Sequence, residues 1–300
     1  MFSGSAKKVQ IPSTINGQTV TSIANKAFYE QELAAVSIPD TVTIIGHEAF
    51  SGNALYSVVL GENLETIGKY AFHGGTHGPD GIWDGSIGNK ITQIVIPDNV
   101  IEIGESAFNN NLLTSVTLGK KVEIIGIRAF QGGSEVEGVW NEVSGNQIKS
   151  IVLPASLKEI RLRAFAFNSI RSVVIPNNVT EIAERAFTRN YITSVTFDSG
   201  SKVKSIGHLA FSGGKDLGDG NGLNKDLGNK ISSIVLPPSL ETLAGSAFAE
   251  NPLFNITIGA NVDISEDWAF EPFRSYYNNN SKATGRYTTT DGDNWTYSSN

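Results

Sequence analysis

The sequence has no cysteine, no long apolar run and no basic cluster. Without cysteine the chain cannot form disulfides, use thiol catalysis or hold a metal through thiolates. No stretch of about 18 consecutive apolar residues and no charged-then-apolar leader is visible, so we expect neither a membrane span nor a signal peptide in this chain. The net charge of −7 argues against nucleic acid or an anionic membrane as the main partner.

The dipeptide Ala-Phe recurs along the whole chain. Five of the nine spacings between successive copies are 22 residues, one is 24, and three are 36, 35 and 37. The unit is therefore 22 residues, with two extra residues at 198–201 and three longer insertions. The phenylalanines of the repeat are Phe28, Phe50, Phe72, Phe108, Phe130, Phe165, Phe187, Phe211, Phe248 and Phe270.

One undisturbed unit, "NLLTSVTLGKKVEIIGIRAF" at residues 111–130, indicates how each repeat folds. Leu113, Val116 and Leu118 follow the L-x-x-L-x-L pattern of a leucine-rich repeat strand, in which alternate residues point into one core. A turn follows, occupied by proline in many copies, and then a second short apolar segment around Ile125. Ala-Phe closes the coil, and we expect it to lie on a helical or 3₁₀ turn.

These features predict a mainly β fold with short helical or 3₁₀ turns, built as a right-handed leucine-rich repeat solenoid of about ten 22-residue coils. Each coil is too small to bury its apolar face alone and depends on its neighbours. We expect the solenoid to span residues 1–270, with insertions at 73–88, 131–145 and 212–228. Residues 271–300 contain four tyrosines and one tryptophan and predict a β-hairpin that caps the last coil.

The repeat resembles the BspA-like, or Treponema-type, leucine-rich repeats. The unit of that family reads roughly L-x-x-L-x-L-P-x-x-L-x-x-I-G-x-x-A-F-x-x-C. Here "ITQIVIPDNVIEIGESAF" (91–108) and "IRSVVIPNNVTEIAERAF" (170–187) match it closely, and the resemblance covers residues 9–270. It implies a bacterial cell-surface or secreted protein that binds other proteins or adheres to host or neighbouring cells.

The chain departs from the family where a cysteine often follows A-F-x-x, because asparagine stands there instead. The insertions restore this asparagine when the repeat resumes, and Gln31 takes its place once. Such a row predicts a structural ladder of side chains that bond the backbone of adjacent coils. A row of glycan or metal ligands is the alternative. The asparagines are Asn53, Asn89, Asn111, Asn146, Asn168, Asn190, Asn229 and Asn251.

The concave strand face is the usual binding surface of such solenoids. Its outward positions are small, uncharged and β-favouring, which suits either a crowded parallel sheet or a flat protein-binding surface. A flanking column is more varied and contains Tyr56, Arg171 and Phe254, which we name as candidate rim contacts.

The three insertions enter at one point of the coil, so we expect three loops on one edge of the solenoid. Trp83 with Asp80 and Asp84 in the first, and Trp140 in the second, are candidate contacts for a protein or sugar partner. Packing of these tryptophans against the solenoid edge is the alternative. The third insertion carries spaced oxygen ligands but lacks the spacing and terminal glutamate of an EF-hand, which leaves calcium binding by residues 212–228 open.

No constellation of residues supports catalysis, and no cofactor or metal is expected. His73 and His77 are four residues apart, but the sequence between them is not helical and no third ligand is placed. We therefore predict a non-enzymatic interaction or adhesion module, extracellular or on the cell surface, whose partner is a protein. A structural spacer without a ligand, and a glycan-binding module that uses Trp83, Trp140 and the aromatic tail, are the alternatives.

Overall fold

The structure, a computed structural model, describes residues 7–77, 83–136, 139–216, 223–266 and 271–299. It is mainly β, with one short helix, α1 (Glu271–Asn279). The strands are β1 (Lys7–Gln10), β2 (Thr14–Ile15), β3 (Gln18–Thr19), β4 (Ser22–Ile23), β5 (Leu33–Ser37), β6 (Ile44–Ile45), β7 (Ser57–Val59), β8 (Thr66–Ile67), β9 (Gly74–His77), β10 (Trp83–Gly88), β11 (Gln93–Val95), β12 (Glu102–Ile103), β13 (Ser115–Thr117), β14 (Ile124–Ile125), β15 (Gly132–Val136), β16 (Val139–Gly145), β17 (Glu159–Ile160), β18 (Ser172–Ile175), β19 (Glu181–Ile182), β20 (Ser194–Phe197), β21 (Ser205–Ile206), β22 (Gly213–Asp216), β23 (Leu223–Gly228), β24 (Ser233–Val235), β25 (Thr242–Leu243), β26 (Asn255–Ile258), β27 (Asp263–Ile264), β28 (Gly285–Thr289) and β29 (Trp295–Ser298).

The second apolar segment of each coil forms one uninterrupted parallel sheet, which we call the back sheet. It contains ten two-residue strands in the order β27-β25-β21-β19-β17-β14-β12-β8-β6-β4. Neighbouring coils pair in constant register, for example Ile103 with Ile125 and Ile125 with Ile160. The second residue of each pair is buried because alternate residues of a strand point to opposite sides. The predicted mainly β solenoid of about ten coils is confirmed.

The L-x-x-L-x-L segments form the strand face, and its ladder is broken. Paired groups are β1-β5-β7, β11-β13, β18-β20 and β24-β26. The breaks after β7, β13 and β20 coincide with the three insertions. Residues 149–153 of the sixth coil form no strand in the described backbone. An insertion therefore disturbs the strand that comes after it and leaves the back sheet intact.

Each coil closes on a stack of phenylalanine rings. Rings of adjacent coils from Phe28 to Phe248 are parallel, with centroids 5.1–5.5 Å apart. Two residues before the ring, the backbone is left-handed in eight coils, with φ between 51° and 58° at side chains as varied as Glu48, Tyr70 and Arg163. The coil therefore closes in a turn, a conformation that the sequence pattern does not reveal.

The three insertions form antiparallel hairpins, β9–β10, β15–β16 and β22–β23. The first hairpin lies against the second, and the second approaches the third. Glycines build the base of each. At Gly74, an added Cβ would lie 1.7 Å from the Asn110 carbonyl oxygen of the next coil, and Gly88 has a φ of 110°. Gly132 and Gly213 approach the next coil in the same way. The second glycines, Gly75, Gly133 and Gly214, have φ of 66–70°, so both members of the Gly-Gly pair in every insertion are explained.

The C-terminal cap contains the expected hairpin and an unexpected helix. Strand β28 pairs antiparallel with β26 and with β29, so it covers the open edge of the strand face. Phe273 and Tyr277 of helix α1 pack with Tyr287 and Trp295 of the hairpin, and all four are buried. The hydroxyl of Tyr277 donates to the Gly259 carbonyl oxygen at 2.6 Å, which joins the cap to the last coil.

Candidate functional site on the strand face

The asparagines each bond three coils together through backbone groups. At Asn168, the side-chain oxygen accepts from the Ile148 amide at 3.0 Å, and Nδ2 donates to the Phe130 and Phe165 carbonyl oxygens at 2.8 and 3.2 Å. The same pattern occurs at Asn111, Asn190 and Asn251.

The coils that carry insertions keep these bonds. Asn89 accepts from the Leu55 amide and donates to the Phe50 carbonyl oxygen, although the first hairpin stands directly before it. Asn146 and Asn229 repeat the arrangement, and Asn53 lies in the same row. These amides are engaged with the backbone, and all except Asn251 are at most 2% exposed, so a ligand would not reach them.

A row of β-branched side chains runs along the strand face, and we call it the face row. It occupies one repeat position in eight consecutive coils, and within the paired groups it is aligned by pairings such as Val95 with Thr117 and Val174 with Thr196. Its five valines, in the third, fourth, sixth, seventh and ninth coils, are 52–84% exposed, and threonine occupies the position in the other three coils. The row contains Val59, Val95, Thr117, Val152, Val174, Thr196, Val235 and Thr257.

The three candidate rim residues do not form one site. Tyr56, Arg171 and Phe254 are exposed and precede the face strand in the third, seventh and tenth coils. At about 4.8 Å per coil, Tyr56 and Arg171 are about 20 Å apart. They can therefore border the face row at separate points, and only an extended partner would touch all three.

A groove opens in the strand face between β20 and β24, where the ladder is broken. The Lys230 amide still donates to the Ile192 carbonyl oxygen at 2.7 Å, but the two strands that come after this bond are not paired. The groove has a volume of about 590 Å³, and its walls include Ser194, Thr196 and Ser233. The turn at residues 198–201 forms one end. The 24-residue spacing is the sequence signal for that turn, but no sequence pattern indicated a groove.

The candidate residues of the insertions lie largely outside the described part of the chain. The backbone of Trp83, Asp84 and Trp140 belongs to hairpin strands, but their side chains are not described, and Asp80 lies outside the described residues. The binding and edge-packing alternatives for the two tryptophans remain predictions. Within the described ranges, no three His, Cys, Asp or Glu side chains are grouped as a metal site would require.

His73 is buried at the base of the first hairpin. Its side chain is in contact with the Tyr70 ring, with centroids 5.3 Å apart, and burial lowers the pKa of His73 to about 3. The imidazole is therefore neutral near neutral pH and belongs to the packing of the coil.

The "DGDN" segment forms the turn of the cap hairpin. Asp291 accepts hydrogen bonds from the Asn294 side chain at 2.6 Å and from the backbone amides of Asn294 and Asp293 at 2.8 and 3.0 Å. These bonds hold the pKa of Asp291 well below its usual range. The carboxylate closes the turn, as the sequence interpretation of Asp-Gly suggested.

The fold, the asparagine row and the phenylalanine stack define a leucine-rich repeat solenoid. The chain belongs to the family described as the BspA type leucine-rich repeat region, whose model matches residues 2–77, 87–140, 141–220 and 227–287. The resemblance inferred from the sequence is thus confirmed. A comparison with curated proteins finds no match.

Three solved structures illustrate the likeness. A leucine-rich repeat protein from Bacteroides ovatus is 21% identical, with a TM-score of 0.47, over 86% of this chain and 59% of that protein, so the chain spans less than two thirds of it. The T. pallidum leucine-rich repeat protein is 21% identical, with a TM-score of 0.33, over 70% of this chain and 77% of that one. A leucine-rich cell surface protein from Faecalibacterium prausnitzii is 19% identical, with a TM-score of 0.29, over 95% and 93%.

The described part of the chain contains no helix with the length and apolar character needed to cross a bilayer.

Proposed function

We propose that the chain is a non-enzymatic interaction module of a bacterial surface or secreted protein and that it binds a protein partner on the face row. The carrying observation is the exposure of Val95, Val152 and Val235, which are 66%, 84% and 64% exposed. Contiguous exposed apolar surface rimmed by polar residues is a mark of protein interaction sites. Here serines such as Ser115 and Ser172 border the row.

The three hairpins form the second part of the proposed surface. They adjoin one another and enter the coil immediately before the strand face. Trp83, Trp140 and the acidic residues Asp80 and Asp84 would add anchors and charge at that edge. Tyr56, Arg171 and Phe254 would border a partner laid along the coils.

A glycan-binding role is less well supported in the tail. Tyr287 and Trp295 are 0% and 7% exposed because they form the core of the cap, so they offer no open ring face to a sugar. The exposed valines of the face row also favour a protein-binding module over a structural spacer, because a spacer does not require exposed apolar side chains.

The test replaces two exposed valines with charge. Val152→Asp with Val174→Asp should lower affinity at least about tenfold for any protein that the wild type binds in a panel of purified secreted and cell-surface proteins. Ile44→Asp with Ile101→Asp is the matched control, because both isoleucines are exposed but lie outside the face row, at 47% and 43%. Equal binding by both variants, or no binding by wild type to any protein of the panel, would overturn the proposal.

A second variant separates the face from the hairpins. Removal of residues 75–88, 133–145 and 214–228 leaves Phe-x-Gly-Asn at each junction, the arrangement found at Phe50–Asn53. Binding through the face row alone survives this change. Binding that needs the hairpin edge is lost, while the Val152→Asp and Val174→Asp pair reports the face in both cases.

A further inference from the structure

Three arginines occupy the same corner of three consecutive coils, and we call them the arginine ladder. Arg128, Arg163 and Arg185 each precede Ala-Phe and have left-handed backbone, with φ of 54–55°. The Arg163 amide donates to the Glu184 carbonyl oxygen at 3.1 Å, and the Arg128 amide donates to that of Leu162 at 2.9 Å, so the corners of neighbouring coils are bonded together. The phenylalanine rings two residues later stack 5.4–5.5 Å apart, which sets the spacing of the ladder.

The charges of the ladder are incompletely compensated. Arg185 pairs with Glu184, and the nearby Arg161 pairs with Glu159 at 2.9 Å. Within the described part of the chain, no ion pair reaches Arg128 or Arg163. The Nε atoms of both are buried without a hydrogen-bond partner. Burial, and then the positive charges of Arg185 and Arg128, lower the pKa of Arg163, although the Glu184 carboxylate opposes this shift.

The same corner is built differently in the first four coils. Lys26 pairs with Glu48 of the next coil at 3.0 Å, and Tyr70 and Lys69 both bond Glu105 at 3.2 Å. Opposite or polar partners in adjacent coils therefore satisfy one another there. The ladder instead stacks three like charges, an arrangement that costs stability unless an outside anion neutralises it.

We propose that the arginine ladder binds an acidic polysaccharide through carboxylate or sulfate groups on successive sugars. Since the Nε atoms of Arg128 and Arg163 are buried, the terminal Nη groups supply the paired N–H donors that match such oxyanions, and the guanidinium charge persists when partly buried. The ladder repeats at the coil spacing, whereas an extended acidic peptide presents same-face side chains about 7 Å apart. Duplex DNA carries one charge per about 1.7 Å and would meet a chain of net charge −7.

The test measures binding of the full chain to immobilised polygalacturonate and dextran sulfate, with neutral dextran as the blank. Replacing Arg128, Arg163 and Arg185 with Gln should weaken binding at least about tenfold, since three charge-assisted contacts are lost. Replacing Lys120, Lys121 and Lys202 with Gln removes the same charge elsewhere on exposed turns and should change affinity less than about twofold. Replacing the three arginines with Lys keeps charge but loses the paired donors and should give an intermediate loss.

The midpoint temperature of thermal unfolding shows whether each variant is still folded. Arg163→Gln alone relieves repulsion, so we expect its midpoint to be unchanged or higher while its polysaccharide affinity falls. Equal affinity of the ladder and lysine variants for both polysaccharides would overturn the proposal. Tighter binding of wild type to polyglutamate or single-stranded DNA than to either polysaccharide would also overturn it, because the ligand class would be wrong.

Discussion

The back sheet and the strand face belong to the same coils but respond differently to the insertions. The back sheet is continuous through ten strands, while the face ladder is interrupted after β7, β13 and β20. The hairpins enter just after the phenylalanine and just before the next face strand, and it is this next strand that does not pair with the coil before it. The back strands lie on the opposite side of the coil and keep their register.

This difference separates the parts of the solenoid that hold it together from the part that is free to vary. The phenylalanine stack and the asparagine bonds cross every insertion without a break. Stability in such a solenoid comes from contacts between neighbouring coils. The continuous elements should therefore dominate stability, while the face tolerates change and is available for binding.

The largest expected effect is the loss of one ring from the stack. Phe165 is fully buried and stacks on Phe130 and Phe187 at 5.5 and 5.4 Å. Phe165→Ala should lower the free energy of unfolding by about 3 to 5 kcal/mol in urea titrations, because a large cavity remains. Val152→Ala on the same coil, 84% exposed on the face, should change it by less than about 0.5 kcal/mol. Comparable losses would contradict the division between stack and face.

The next effect tests the asparagine bonds. Asn168→Ala leaves the Ile148 amide and the Phe130 and Phe165 carbonyl groups without their buried partner, and we expect a loss of about 2 to 4 kcal/mol. Asn178→Ala is the control, since Asn178 donates to the Ala155 carbonyl oxygen at 2.8 Å but lies near solvent, which can replace the bond. Its loss should stay near about 1 kcal/mol or below.

The repeated elements could be predicted from the sequence because the same residue types recur at the same positions in every coil. The phenylalanine and asparagine columns could be placed by counting alone, and the hairpin cap by its Asp-Gly turn. The breaks in the face could not, since paired and unpaired face segments share one pattern, as in Val173 of the paired strand β18 and Ile151 of the sixth coil, which forms no strand. The left-handed corners were also hidden, because Glu48 or Arg163 in place of glycine provides no signal.

Helix α1 carried a local signal that the aromatic tail obscured. Glu271 and Pro272 are typical of a helix start, but the tyrosines and asparagines beyond them favour strands and turns. For the candidate site, the face row was placed correctly as outward-facing, yet its exposure depends on which elements cover the face. That depends on long-range packing, as does the groove beside β24.

An effect of intermediate size is the pH dependence of stability that arises from His73, at the base of the first hairpin. His73 has a folded pKa of about 3, below its unfolded value of about 6.5, so the unfolded chain binds more protons between these values. Stability is fully present above about pH 6.5 and falls as the pH is lowered toward 3. We expect a loss of about 2 kcal/mol between pH 7.5 and 5 from this residue.

His73→Gln should remove this contribution, because glutamine does not titrate. Gln131 occupies the equivalent position two coils later, so glutamine fits this site. Urea midpoints at the two pH values measure the slope. A wild-type slope that survives His73→Gln would assign the pH dependence to other groups.

The smallest expected change in stability comes from removing a hairpin, and it tests the comparison most directly. Deleting residues 75–88 joins Phe72, His73 and Gly74 to Asn89, the spacing of an undisturbed coil. We expect the free energy of unfolding to change by less than about 1 kcal/mol, because the stack, the back sheet and the Asn89 bonds remain. Strand β11 should then pair with β7, so amide hydrogen exchange at residues 93–95 should slow.

Deleting residues 76–88 instead leaves one residue too many before Asn89 and provides the matched control. The asparagine then cannot reach the Leu55 amide and the Phe50 carbonyl oxygen in register, and we expect a loss of about 2 kcal/mol or more. Faster exchange in the first variant, or equal stability of the two deletions, would mean that the hairpin does not cause the break and that the asparagine does not set the register.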